Sequence, residues 1–86
     1  MTETDEARRK RLFMRSMRRG IKEMDLILAA YATDHLPQMD DDALALYDIL
    51  LSENDHDLYR WVTGQTAVPA PFTELIHDIA CHAKGA

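Results

Sequence analysis

Residues 8–28 read RRKRLFMRSMRRGIKEMDLIL, and the way this stretch divides decides the fold. Leu12, Phe13, Met14 and Met17 form a narrow apolar stripe among bases, which predicts a helix from about Asp5 to Arg19. From there Ile21, Met24, Ile27, Leu28 and Tyr31 recur at steps of three and four, predicting a second helix to about Thr33. Between them stands Gly20. A glycine inside a helix costs about 1 kcal/mol relative to alanine, so it marks a corner. In the simplest local reading Gly20 takes the left-handed position that ends the first helix. It also caps the second, with Glu23 reaching back to the free amides.

Outward from this corner the chain is helical throughout. His35-Leu36-Pro37-Gln38 ends the second helix, because proline disfavours helical geometry in the residue before it. Asp40 to Asp42 supply acids to the positive end of a third helix, whose expected inner face is Leu44, Tyr47, Leu50 and Leu51. The stretch SENDHD breaks that pattern, and Asn54 or Asp55 can cap a short fourth helix holding Leu58, Trp61 and Val62. Gly64 is a natural stop for it. After the proline-stiffened TAVPAP, a fifth helix carries Phe72, Leu75, Ile76 and Ile79 and ends near Lys84 and Gly85. The expectation is an all-α, compact five-helix bundle, a single domain over residues 1–86 with 1–6 a flexible N-terminus. Its core should include Leu28, Tyr31, Tyr47, Leu50, Leu58, Trp61, Leu75 and Ile79.

The 86 residues are 47 % hydrophobic and 29 % charged, ordinary for a soluble globular domain. Such a domain buries one modest core and has no room for a deep catalytic cavity. No apolar run approaches the roughly 20 residues that span a membrane, and the first ten residues lack the apolar region of a secretory signal. The lone Cys81 cannot form an internal disulfide, which suits a reducing compartment.

Charge is distributed unevenly. Residues 7–22 carry eight bases and no acid, whereas the whole chain has a net charge of −5. A strongly positive face on a negative body points to an acidic protein surface or to phosphate as partner. Arg15, Arg18 and Arg19 converge on one helix end, a repulsive arrangement unless something negative docks there. With Glu23 they make a two-sign constellation suited to directional, charge-assisted contacts with a protein. Catalysis fits it poorly, since arginine stays protonated and cannot serve as a base. His77, Cys81 and His82 fall short of a metal set, and His77 and Cys81 read as helix-five packing or surface residues. His35 and His56 sit beside turns and read as solvated. A nucleic-acid-binding reading of the basic helix is the rival class, opposed by the acids on the rest of the bundle.

Two blocks carry a resemblance. Arg11, Leu12, Arg15 and Ser16 lead into Arg19-Gly20-Ile21-Lys22-Glu23, an R-G-x-x-E signature. About thirty residues later an acid-rich turn runs into Asp57, Leu58, Tyr59 and Trp61. Over residues 8 to about 64 the chain resembles the succinate dehydrogenase flavinylation factors, small helical assembly factors, with Met14 where many relatives are expected to have an aromatic. The resemblance implies a non-enzymatic chaperone that binds the flavoprotein subunit of succinate dehydrogenase, and in some members that of fumarate reductase. It would promote covalent attachment of FAD to a histidine of that partner while holding no cofactor of its own. The contacts it implies are Arg19, Gly20 and Glu23, flanked by Arg11, Arg15, Ser16 and Arg18. It further suggests a monomer of the bacterial cytoplasm that neither inserts into membranes nor binds nucleic acid. On this reading Arg19→Ala leaves the fold intact and weakens docking alone.

Overall fold

Each helix but one of the first four begins where a side chain can take up its free amides. Thr4 accepts from the Ala7 amide at 3.1 Å, Asp40 from Ala43 at 2.8 Å and Asn54 from His56 at 2.8 Å. The computed structural model describes residues 3–85. Its helices are α1 (Asp5–Ser16), α2 (Lys22–His35), α3 (Asp41–Leu51), α4 (Asp55–Val62) and α5 (Thr73–Gly85). Single 3₁₀ turns, Leu36–Gln38 and Ala70–Phe72, follow α2 and precede α5, and each places a proline in its first turn. The five-helix expectation therefore holds, and no strand occurs among the described residues.

Of the segment 1–6 expected to be flexible, Met1 and Thr2 lie outside the described residues. Thr4 caps α1, and the Glu3 carboxylate meets Arg11 at 2.8 Å.

α1 packs on α2 and α3, α2 on α4 and α5, and α4 on α5. The radius of gyration is 12.3 Å, matching the roughly 12 Å of a compact chain this long. Leu12, Met24, Leu28, Leu44, Tyr47, Leu50, Leu58 and Ile79 are fully buried where these helices meet. Trp61 and Leu75, expected in the core, lie at its edge, partly buried and packed against it. The Trp61 ring sits 6.0 Å from that of Phe72. Gly64 ends α4 with φ of +77°, the left-handed geometry foreseen for it.

The corner between α1 and α2 is built differently from the sequence expectation. α1 stops at Ser16, and Met17 is already extended. The left-handed residue is Arg18, with φ of +55°, and Gly20 does not have a positive φ. A non-glycine residue in that region costs about 1–2 kcal/mol. Ile21, not Gly20, occupies the position before α2 and supplies no side-chain cap. Glu23 lies in the first turn of α2, exposed, where its charge favours the helix dipole.

Truncating Leu58 to alanine should lower stability by about 2–5 kcal/mol, since a fully buried branched side chain leaves a cavity among three helices. Trp61→Ala should fall below the roughly 3–5 kcal/mol typical of a buried aromatic. Urea denaturation of the two variants beside the native chain tests the ranking.

Candidate partner-docking site

Helical periodicity sends the bases of α1 two ways. Arg8, Arg9, Arg11 and Arg15 turn toward the body of the bundle, as does Arg19 from the corner that follows α1, and each meets oxygen there. Arg9 donates to the backbone oxygens of Leu36 at 3.0 Å and Met39 at 2.7 Å, tying α1 to the end of α2. Arg11 donates to both carboxylate oxygens of Asp48, each at 3.1 Å, and to Glu3. Arg15 holds the same Asp48 carboxylate, its backbone oxygen at 3.1 Å, and the Ser52 hydroxyl at 2.9 Å.

Arg19 is the most enclosed, its side chain 11 % exposed. Its Nε and Nη2 lie 2.8 and 2.6 Å from Asp55 Oδ1. Its Nη1 donates to the carbonyls of Arg15 at 2.9 Å and Leu51 at 3.1 Å. Arginine thus covers the carbonyl end of α3, where the helix dipole favours a cation, and clamps the first residue of α4.

The other oxygen of Asp55 accepts the Gly20 amide at 2.5 Å. A Cβ added at Gly20 would stand 3.0 Å from that oxygen. The glycine is required by the close approach of a carboxylate that Arg19 already holds in place, not by a left-handed backbone.

Ser16, expected at the flank of a docking surface, is fully buried instead. Its hydroxyl donates to the Leu12 carbonyl at 2.8 Å and lies 2.6 Å from the Tyr47 hydroxyl, which therefore donates to it. A buried hydroxyl needs such partners, and burial pushes the Tyr47 phenol up to about 12. Arg11 hydrogen bonding, with Arg15 beside it, holds the Asp48 carboxyl below its ordinary range.

What remains outward is a smaller set. Arg18, Gly20, Lys22 and Glu23 are exposed, as are Lys10 and Met14 on the outer face of α1. Among the described residues no ion pair engages Lys10, Arg18, Lys22 or Glu23. Leu26, one turn on from Glu23, is 64 % exposed, unusual for a leucine beside a charged motif. The repulsion read from the sequence is thus answered within the chain, by Asp48 and Asp55. Those two acids lie 33 to 37 residues from their arginines and were missed. The available signal was the density of acids in α3 and in SENDHD.

The remaining titratable residues gather elsewhere. Tyr31 stacks on His35 with centroids 4.2 Å apart, and His82 meets His35 edge-on at 5.3 Å. His35 is therefore packed on a ring, contrary to the solvated reading, while His56 is exposed as expected. His82 bonds Asp34 at 2.7 Å and the Tyr31 hydroxyl donates to Asp78 at 2.7 Å. Cys81 is exposed, 3.5 Å from His77 of the same helix, and no group of three metal-ligating side chains occurs among the described residues. A hollow of about 790 Å³ beside Tyr31 and His35 is lined by Asp40, Glu74 and Asp78 among others. Three carboxylates there would oppose the phosphates of FAD, so this lining does not suit that cofactor.

Comparison with known proteins decides the family. The family described as flavinator of succinate dehydrogenase matches residues 10–83. The chain belongs to this family. It is 36 % identical over 80 residues to succinate dehydrogenase assembly factor 2 of Drosophila grimshawi, covering 90 % of this chain and 54 % of that one. It is 37 % identical over 84 residues to the factor of Cryptococcus neoformans, covering 95 % and 48 %. With that of Meyerozyma guilliermondii it shares 46 % over 61 residues, 71 % and 45 %. The chain spans about half the length of these curated relatives. All three are named as mitochondrial proteins, at odds with the bacterial cytoplasmic placement expected above, and that expectation is not carried forward. Within the described residues no helix is long and apolar enough to cross a membrane.

For the flavinator fold, Arg19→Ala is now expected to cost about 2–4 kcal/mol, because it leaves Asp55 and two carbonyls without their donor. Arg19→Lys should recover little of this, as an ammonium cannot reproduce the fork. Gly20→Ala should also destabilise, and its penalty should shrink in an Asp55→Ala background, where the opposing carboxylate is gone. Thermal melts of the five variants, Asp55→Ala alone and combined with Gly20→Ala included, measure both effects.

A second expectation concerns acid. A carboxyl held below its ordinary pKa contributes stability above that range and loses it as pH falls through it. The stability gap between the native chain and Asp48→Asn should therefore be full at neutral pH. It should close as pH falls through the ordinary value of 3.8 and below, as read by urea titrations across pH.

Proposed function

We propose that the chain binds the flavoprotein subunit of succinate dehydrogenase and promotes covalent attachment of FAD there, acting as a monomeric chaperone without turnover of its own. The observation that carries this reading is the division of the R-G-x-x-E segment. Arg19 and Asp55 fix the backbone of the corner, and Arg18, Lys22, Glu23 and Leu26 are left facing outward without partners. Charges of both signs around an apolar side chain, on a rigid corner, are what a specific protein contact needs. Family membership and the names of the relatives, which refer to succinate dehydrogenase, support this choice of partner.

On this reading FAD is held by the partner, consistent with the carboxylates that line the hollow beside Tyr31 and His35. The contribution of this chain is orientation. A rigid surface that binds one conformation of the flavoprotein raises the share of molecules in which flavin and acceptor side chain are aligned. Arg11, Arg15, Arg19 and Ser16 serve that surface from beneath, by holding α1 against α3 and α4. The fumarate reductase flavoprotein is a second client to be assayed in the same way.

Glu23→Ala tests the reading because, among the described residues, the exposed Glu23 side chain forms no ion pair. The variant should melt within about 0.5 kcal/mol of the native protein, as surface substitutions do. In a strain lacking the native gene it should leave the flavoprotein subunit with reduced covalent flavin, seen as in-gel fluorescence. Full flavin attachment by every outward variant, Glu23→Ala and Leu26→Ala included, would remove this face from the mechanism.

A further inference from the structure

Arg18 has no role in the fold that accounts for it. It occupies the left-handed position after α1, with φ of +55°, where glycine would sit without strain. Glycine instead stands two residues later, at a position that does not have a positive φ. The Arg18 side chain is exposed, and among the described residues it forms no ion pair. It borders a shallow hollow of about 300 Å³ shared with Arg15, Met17, Arg19, Gly20 and Asp55. Three arginines against one aspartate give that lining a formal charge of +3 − 1, or +2.

The donors around the hollow are not equivalent. Arg15 and Arg19 are spent on Asp48, Asp55 and backbone carbonyls, and the Gly20 amide is spent on Asp55. Among the described residues the Arg18 fork of N–H groups has no partner, unlike those of Arg15 and Arg19. Backbone strain that serves no internal contact is characteristic of a residue held ready for something outside.

We infer that Arg18 is a specificity-determining contact, held in its left-handed conformation so that its guanidinium grips a carboxylate side chain of the flavoprotein subunit over this hollow. The inference rests on the proposed partner and deepens it. A carboxylate is the anion that the surface of a protein partner supplies, and the net positive lining attracts it. The planar fork gives two parallel bonds to a carboxylate, which fixes the direction of approach as well as its strength.

The test separates strain from recognition. Arg18→Gly removes both charge and strain, and Arg18→Lys keeps charge and strain. Each is compared with the native chain for its thermal midpoint and for its affinity to purified flavoprotein subunit from a strain lacking the factor. Arg18→Gly should melt at or above the native midpoint yet bind about tenfold or more weakly, with Arg18→Lys between the two in affinity. Undiminished binding by Arg18→Gly beside a binding native chain overturns the role of Arg18 alone. A midpoint well below native overturns it too, by showing that Arg18 serves the fold. If the native chain itself does not bind, the flavoprotein reading fails and this inference falls with it.

Discussion

The bond between Arg19 and Asp55 is the constraint on which the rest of the corner depends. One guanidinium closes the carbonyl end of α3, fixes the first residue of α4 and caps its own helix run at Arg15. The same carboxylate then reaches across to the Gly20 amide, so the backbone leading into α2 is set by a residue 35 positions away. Four helices are referred to one ion pair. With 11 % and 18 % side-chain exposure, that pair is shielded enough for loss of one partner to be costly. Its net contribution over an apolar alternative is smaller, since both charges had to leave water. What it supplies above all is a single geometry.

A segment with eight bases in sixteen residues ought to repel itself, and here it does not, because its inner bases answer Glu3, Asp41, Asp48, Asp55 and a series of carbonyls. The bundle is held partly by polar contacts that a small core could not replace. This has a consequence for recognition. Cations satisfied inside cannot swing out to meet a partner without breaking the fold, so the outer face is restricted to the few side chains left over. Restriction favours selectivity, because a surface with fixed charges in fixed places rejects partners that leave those charges unpaired or opposed.

Most of the fold was legible because burial leaves a period. Leu44, Tyr47, Leu50 and Leu51 declare one face of α3, and Asp40 and Asn54 declare where α3 and α4 begin. The site was legible in part. Sequence picked out the corner but not the internal work of Arg19 and Ser16, which look like surface in a basic run and are enclosed. Ion pairing across 33 to 37 residues has no periodicity and no local signature, and Asp48 and Asp55 are two acids among fifteen. Gly20 was placed correctly as a corner residue for a mistaken reason. Its need is for room beside a carboxylate, which only the folded chain reveals, and the left-handed turn it was given belongs to Arg18.

The spacing within R-G-x-x-E follows from this division of labour. Arginine must precede glycine directly, so that one carboxylate can meet the side chain of the first and the amide of the second. Glutamate must come three residues later, where the first turn of α2 has rotated it away from Asp55 and into solvent. One helical turn further along α2, a glutamate would lose the dipole that favours its charge. The motif therefore combines an internal requirement with an external one. Substitutions at its two ends should impair a cell for different physical reasons, through the stability of the fold at Arg19 and through the surface it presents at Glu23.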